Sequence, residues 1–457
     1  MTSRDRDFGP GAAIALTLGS ALLWGVAHVA TDRRKTGFAL MVTYVLVLAV
    51  IITAVTAFGT KVLALAVQPL WLTVFSVALA ALALAWSAVI VRSFVLVRPR
   101  RSNAVGRVLT ATFTAALCAL VLVPTAYAAR LAYVSHDVVD SIFTADMTPI
   151  VADDPWNGAA RINVLLIGAD SAPGRPGVRT DSMTVASVDT ATGNTTLFGL
   201  PRNLEHVQMP RGPARRRFPQ GFTGDGPDTP GLLNEVFQYA EDYPETVPGV
   251  RRGQRGPDLL KRTVSDILGI PVTYYAMVDM KGFAQIIDAM GGVKVTIKQP
   301  IVYGKYREGL LSAGTRKLSG QEALWFGRSR TDSDDYVRMG RQKCLLYAVA
   351  KQADPVTVLN SFEKLAAATK RAISTDVPQN LLPPFIELSD RVKHARIRSL
   401  SFVPPLINTA APDWSLIRAK VAKALADRPA VRAPGQPRAG ATVQGYDRPI
   451  ALDAACH

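Results

Sequence analysis

Apolar residues run almost unbroken along three stretches of the amino-terminal third, residues 38–60, 70–91 and 108–129. Each has about the length, roughly 20 residues, that an α-helix needs to cross a bilayer. A fourth stretch, residues 11–30, is diluted by Gly19, Ser20, Gly25 and His28 and reads either as a further span or as a re-entrant segment. Beyond Arg130 the pattern changes to short apolar or β-branched runs bounded by turn residues. Residues 162–168, 183–188, 195–200, 272–278, 293–297 and 396–403 predict strands. Residues 257–268, 281–290, 335–352, 356–370 and 378–391 predict helices, the first opening on Pro257 and closing at Gly269. Strands interleaved with helices place the chain in the α/β class: a multi-span α-helical membrane anchor followed by a mixed central sheet flanked by helices.

The same pattern divides the chain into a cytoplasmic or re-entrant amino-terminal segment (1–37), transmembrane helices (38–129), an extracytoplasmic stalk (130–160), a large globular domain (161–427) and a Pro/Gly/Ala/Arg-rich tail (428–457). Residues 209–230 have a loop composition rich in Pro, Gly and Arg.

Charge orients the anchor. Arg33, Arg34 and Lys35 precede the first span, and Arg92, Arg98, Arg100, Arg101 and Arg107 lie between the second and third, whereas the intervening connection offers little beyond Lys61. Basic loops stay inside, so a multi-pass protein of the cell membrane is expected, with its large carboxy-terminal domain extracytoplasmic. Thr125-Ala126-Tyr127-Ala128 has the small residues of a signal cleavage site but follows several spans, so the anchor reads as uncut.

A formal net charge of +16 calls for an anionic partner. No nucleic-acid-binding signature occurs, which leaves the lipid bilayer and phosphorylated substrates. The five histidines are far apart and show no metal-ligand spacing. Of three cysteines, Cys118 lies in an apolar run, while Cys344 and Cys456 face the oxidising side. Two readings of that pair stand: a disulfide holding the tail beside Gln342, with residues 450–452 packed as a short strand, or a buried free Cys344 and an untethered Cys456.

Candidate chemistry gathers at strand ends. Asp170 follows the first strand of the domain, and Arg179 and Asp181 flank Thr180 before the second. Two carboxylates on neighbouring strand ends suit Mg²⁺, or Mn²⁺, completed by water and phosphate oxygens. Arg202 follows the third strand; later, Arg328 and Arg330 alternate in an expected extended lead-in, and Arg338, Arg341 and Gln342 share a helix face. Forked guanidinium donors suit a pyrophosphate better than lysines do.

Several separated motifs in this order resemble the LytR-CpsA-Psr family of cell-wall glycopolymer transferases. They are Asn163 to Ser171, Arg179-Thr180-Asp181-Ser182-Met183, Leu200-Pro201-Arg202, Asp288 to Val295, Leu318 to Leu324 and Arg328 to Gln342. The resemblance covers residues 161 to about 352 and weakens towards Pro405. It implies a catalytic domain over 161–427, with Asp170 and Asp181 as metal carboxylates. It places Arg179, Arg202, Arg328, Arg330, Arg338 and Gln342 on the pyrophosphate, with Arg202, Arg179 and Arg338 closest to catalysis. The implied reaction moves a glycopolymer phosphate from a polyprenyl-pyrophosphate carrier to a peptidoglycan hydroxyl, with the polyprenyl tail in an apolar groove. Asp170, Asp181 and Asp332 are the candidate bases. One departure stands out: after Pro201-Arg202 the family usually has Asp-Thr, whereas this chain has Asn203-Leu204, removing a carboxylate expected to orient Arg202. A lipid-pyrophosphate hydrolase at the same site, or a non-catalytic envelope receptor or scaffold, are the competing readings.

Overall fold

The structure, a computed structural model, describes residues 8–65, 69–99, 104–143, 154–170, 177–226, 231–352, 373–426 and 448–456. The expected helix 356–370, Ser171, residues 144–153 of the stalk and most of the tail lie outside them. Contacts divide the chain after residue 137 into two units.

The first unit is helical: α1 (Pro10–Leu22), α2 (Val26–Ala30), α3 (Arg34–Leu65), α4 (Pro69–Val97) and α5 (Ala104–Ile142). Segments of α3, α4 and α5, namely Arg34–Ala54, Trp71–Val97 and Ala104–Arg130, are long and apolar enough to cross a membrane. Their apolar side chains, among them Val42, Val77, Leu84 and Leu109, are exposed, as lipid-facing groups are. The ambiguous stretch 11–30 is not one continuous span. It breaks at Gly25, whose φ of +96° is open to glycine and where a Cβ would stand 2.3 Å from the carbonyl oxygen of Gly37. With 13 residues, α1 reaches about 20 Å, short of the roughly 30 Å hydrocarbon core. It lies against α4, where Trp86 Nε1 donates to the Ala21 carbonyl at 3.0 Å.

The second unit is built on a seven-stranded mixed sheet among the described residues, in the order β11-β10-β3-β2-β1-β4-β9. The strands are β1 (Arg161–Asp170), β2 (Arg179–Asp189), β3 (Thr195–Leu200), β4 (Tyr274–Asp279), β9 (Ile373–Thr375), β10 (Ile397–Ser401) and β11 (Ile450–Ala451). β1, β2 and β3 pair antiparallel, whereas β4 joins β1 and β10 joins β3 in parallel. Period-two alternation sends Leu165, Ile167, Met183, Val185, Phe198 and Leu200 to one face. There they meet α7 (Val236–Asp242), α8 (Arg255–Leu268) and the helix Trp414–Ala426. Ala186, Val188 and Leu197 point to the other face, towards α11 (Asp335–Gln352) and the helix Leu382–His394.

A second core lies beside the sheet. Strand β5 (Val293–Ile297), expected as a strand, pairs with β8 (Gly314–Leu318) in a separate two-stranded sheet and not with the central one. Strands β6 (Ile301–Tyr303) and β7 (Gly309–Leu311) form a further hairpin. These elements pack on α9 (Met280–Ala289), α10 (Gly320–Arg328) and α11 through Ile287, Val293, Val295, Phe326 and Leu345.

The loop expected over 209–230 contains a helix, α6 (Pro213–Arg217). Its four arginines are not equivalent. Arg217 packs over the rings of Phe218, Tyr239 and Tyr243 and pairs with Asp225, and Arg215 pairs with Asp266, whereas Arg211 and Arg216 are exposed.

Candidate functional site at the strand ends

In the β1–β2 pairing, Asp170 stands opposite Arg179, past a register shift between Gly168 and Ala169. Asp181 is two residues along β2 from Arg179, at the residue the shift leaves unpaired, and both side chains line one cavity. Thr180 between them is fully buried, its Oγ1 donating to the Asn234 carbonyl at 3.3 Å. The hairpin thus brings both predicted carboxylates to one end of the sheet, and β3 delivers Arg202 to the same end.

An acid that the motif reading passed over organises the arginines. Asp335, the first residue of α11, accepts from Arg338 Nε at 3.1 Å and from Arg338 Nη2 at 3.0 Å. It also pairs with Arg202 Nε at 3.5 Å and Arg330 Nη1 at 3.6 Å. Burial by itself would raise the Asp335 pKa, but the hydrogen bonds and charge of Arg338, with the charges of Arg202 and Arg330, hold it below the usual carboxylate value. Arg202 further donates from Nη1 to Asp181 Oδ1 at 2.6 Å. Arg338, 4% exposed, donates from both terminal nitrogens to the Asp181 carbonyl at 3.1 Å. Arg328 Nη2 reaches Asp170 Oδ2 at 3.5 Å, and Asp170 is itself 5% exposed.

Position 203 lacks the family's carboxylate, yet Arg202 is not left without acidic partners. Asp181 and Asp335 both orient it, while Asn203 turns away and donates from Nδ2 to Thr409 Oγ1 at 3.4 Å. Arg328 is the last residue of α10, so the extended lead-in does not include it and begins no earlier than Ser329, at φ −58° and ψ 137°. Asp332 is engaged by Arg307 at 2.9 Å on an exposed surface.

The predicted residues share one cavity of about 580 Å³. Asp170, Arg179, Asp181 and Arg202 line it from the strand ends, and Arg328, Arg330, Arg338 and Gln342 from α10, α11 and the segment between them. The rest of the lining is largely apolar and comes from strand interiors and helices, including Leu166, Met277, Phe283, Ile286, Leu345 and Leu346. Gln342 spends its amide nitrogen on the Gly327 carbonyl at 3.0 Å. Asp170 and Asp181 offer hard oxygen donors of the kind Mg²⁺ takes, and no group of three or more His, Cys, Asp or Glu side chains gathers among the described residues.

Two neighbours complete the region. Lys343 lays its stem over β3, where a Cβ on Gly199 would stand 3.4 Å from Lys343 Cε, and burial pushes its ammonium pKa down to about 8. Cys344 is bonded to Cys456, with Cα atoms 5.3 Å apart, which fastens the segment carrying β11 to the helix that carries Arg338.

A model of the LytR_cpsA_psr family matches residues 139–404. The polyisoprenyl-teichoic acid–peptidoglycan teichoic acid transferase TagU of Oceanobacillus iheyensis is 27% identical over 223 residues, covering 48% of this chain and 60% of that protein. Biofilm regulatory protein A of Streptococcus mutans is 24% identical over 251 residues, covering 52% of this chain and 56% of its own length. The chain thus spans somewhat over half the length of these curated relatives. The crystal structure of B. subtilis TagV is similar at 22% identity with a TM-score of 0.41, over 58% of this chain and 95% of that one.

Proposed function

The chain belongs to the LytR_cpsA_psr family, and from that premise we propose that it transfers a glycopolymer phosphate from a polyprenyl-pyrophosphate carrier to a peptidoglycan hydroxyl outside the cytoplasm, forming a phosphodiester. The observation that carries this reading is the single cavity in which an arginine-rich polar lining is continuous with a larger apolar one. A polyprenyl pyrophosphate has the matching two parts, an anionic head and a hydrocarbon tail.

In this reading Arg179, Arg202, Arg328, Arg330 and Arg338 bind the pyrophosphate oxygens, and Gln342 borders them. As the acceptor hydroxyl attacks the sugar-proximal phosphorus, the new P–O bond forms and the bridging P–O bond to polyprenyl phosphate breaks. Fixed guanidinium groups stabilise the charge that moves onto the leaving phosphate. Mg²⁺ or Mn²⁺ held by Asp170 and Asp181 would supply further neutralisation of that charge. Arg328 and Arg202 engage these two acids, and Arg307 engages Asp332. The hydroxyl proton therefore goes to an oxygen of the leaving polyprenyl phosphate.

The test is the mass of the lipid that co-purifies with the full chain, followed by incubation with lipid-pyrophosphate-linked glycan and peptidoglycan. A glycan–peptidoglycan phosphodiester is expected. Release of free glycan phosphate in the presence of acceptor would replace transfer by hydrolysis, and neither lipid nor turnover would leave a receptor or scaffold.

A further inference from the structure

Arg341 is absent from the proposed pyrophosphate set, yet it makes two contacts to the segment that carries two members of that set. Its Nη2 donates to the Ser329 carbonyl at 2.5 Å and to Ser333 Oγ at 2.7 Å. One residue on, Gln342 holds the Gly327 carbonyl at 3.0 Å. Two successive side chains of α11 thus grip alternate carbonyls on either side of Arg328. Ser329 is held from the opposite direction as well, because its Oγ donates to the Val302 carbonyl at 2.5 Å.

A guanidinium is a costly group to place here. Arg341 is partly buried, desolvation lowers its pKa, no carboxylate pairs with it among the described residues, and its Nε is buried without a hydrogen-bond partner. Where a side chain serves packing alone, an apolar group of similar size usually does as well or better than a buried charge. What an apolar group cannot do is hold a carbonyl and a hydroxyl four residues apart in one plane. That grip fixes the backbone between Arg328, which reaches Asp170, and Arg330, which reaches Asp335.

We infer that Arg341 is a positioning residue of the pyrophosphate site: by clamping Ser329 and Ser333 it aims Arg328 and Arg330 together at the anionic head of the substrate. This rests on the proposed role of Arg328 and Arg330. A rigid pair of donors binds a diphosphate without first ordering a flexible segment, so loss of the clamp should appear in substrate affinity more than in fold stability.

The experiment uses the full chain in detergent, with geranylgeranyl pyrophosphate as the probe and Arg341→Met, Arg341→Lys and Arg328→Ala as variants. Arg341→Met should speed amide exchange across residues 327–333 and weaken probe binding about tenfold or more, the scale of hydrogen bonds made by a charged group. Arg341→Lys should fall between it and wild type. Combined with Arg328→Ala, Arg341→Met should cost less than it does alone, since the clamp can then act only through Arg330. Wild-type affinity in folded Arg341→Met, or fully additive losses in the double variant, would overturn the inference. If Arg341→Met does not fold, Ser333→Ala removes one anchor alone, and unchanged exchange and affinity there would overturn it equally. Absence of probe binding by the wild-type chain would instead remove the substrate reading on which the role depends, while exchange across 327–333 would still report whether the clamp exists.

Discussion

Asp335 and Arg338, three residues apart on α11, meet in a two-pronged contact, Arg338 Nε to Asp335 Oδ1 at 3.1 Å and Nη2 to Oδ2 at 3.0 Å. Because the same carboxylate also faces Arg202 and Arg330, one acid spaces three guanidinium groups that would otherwise repel one another. Asp335→Asn removes that charge while keeping the shape. Transfer should fall about 100-fold, the scale of losing one charged partner in a preorganised site. Steady-state kinetics beside a thermal melt separate this from simple unfolding, and wild-type kcat/KM would reject the role.

Arg202→Ala and Arg338→Ala each remove a forked donor, and each should cost about 2 kcal/mol or more in transition-state stabilisation. They should differ in stability. Arg338 is buried and holds both Asp335 and the Asp181 carbonyl, so its loss should lower the melting temperature as well, whereas Arg202→Ala should act mainly on rate. Folded variants with wild-type transfer rates would remove both from the site.

Asn203→Asp restores the residue usual at that position but should not raise activity, because Arg202 already has Asp181 and Asp335 and position 203 faces Thr409. Asn203 Oδ1 is buried without a hydrogen-bond partner. A carboxylate there should destabilise the domain by about 1–3 kcal/mol. A several-fold gain in turnover would show that Asn203 limits this chain.

Lys343 makes stability depend on pH. Burial lowers its pKa to about 8, below the roughly 10.4 of an unfolded chain. Between those values the unfolded chain binds more protons, so stability rises with pH across that window and this lysine's penalty is full below about pH 8. Lys343→Met should therefore stabilise the protein at pH 7 by on the order of 1–2 kcal/mol, after discounting for partial exposure. Its melting temperature should also lose the alkaline rise. A destabilised variant at pH 7 would show that the ammonium has a compensating partner.

The disulfide Cys344–Cys456 closes a separation of 112 residues. Reducing it, or making Cys456→Ser, should cost about 2–5 kcal/mol in the chain-entropy account and free β11 from β10. Non-reducing mass spectrometry with thiol blocking checks the bond first, and alkylation of both cysteines in protein from an oxidising envelope would reject it.

Local regularity made much of this protein legible. Apolar length marked the spans, α11 begins and ends where the pattern 335–352 places it, and β3 occupies 195–200 as read. The motifs likewise marked Asp170, Asp181 and the arginines, because a strand end followed by a charged turn leaves its trace in adjacent residues. What needed tertiary structure was partnership. Period-two alternation shows that 293–297 is a strand but not that it pairs with β8 instead of the central sheet. Nor does local pattern show that Asp335 gathers arginines from positions 202 and 330, that Asn203 turns to Thr409, or that Cys456 reaches α11. Each depends on which residues distant in the chain become neighbours, and that is settled by packing of both sheet faces at once, not by any single segment's preference.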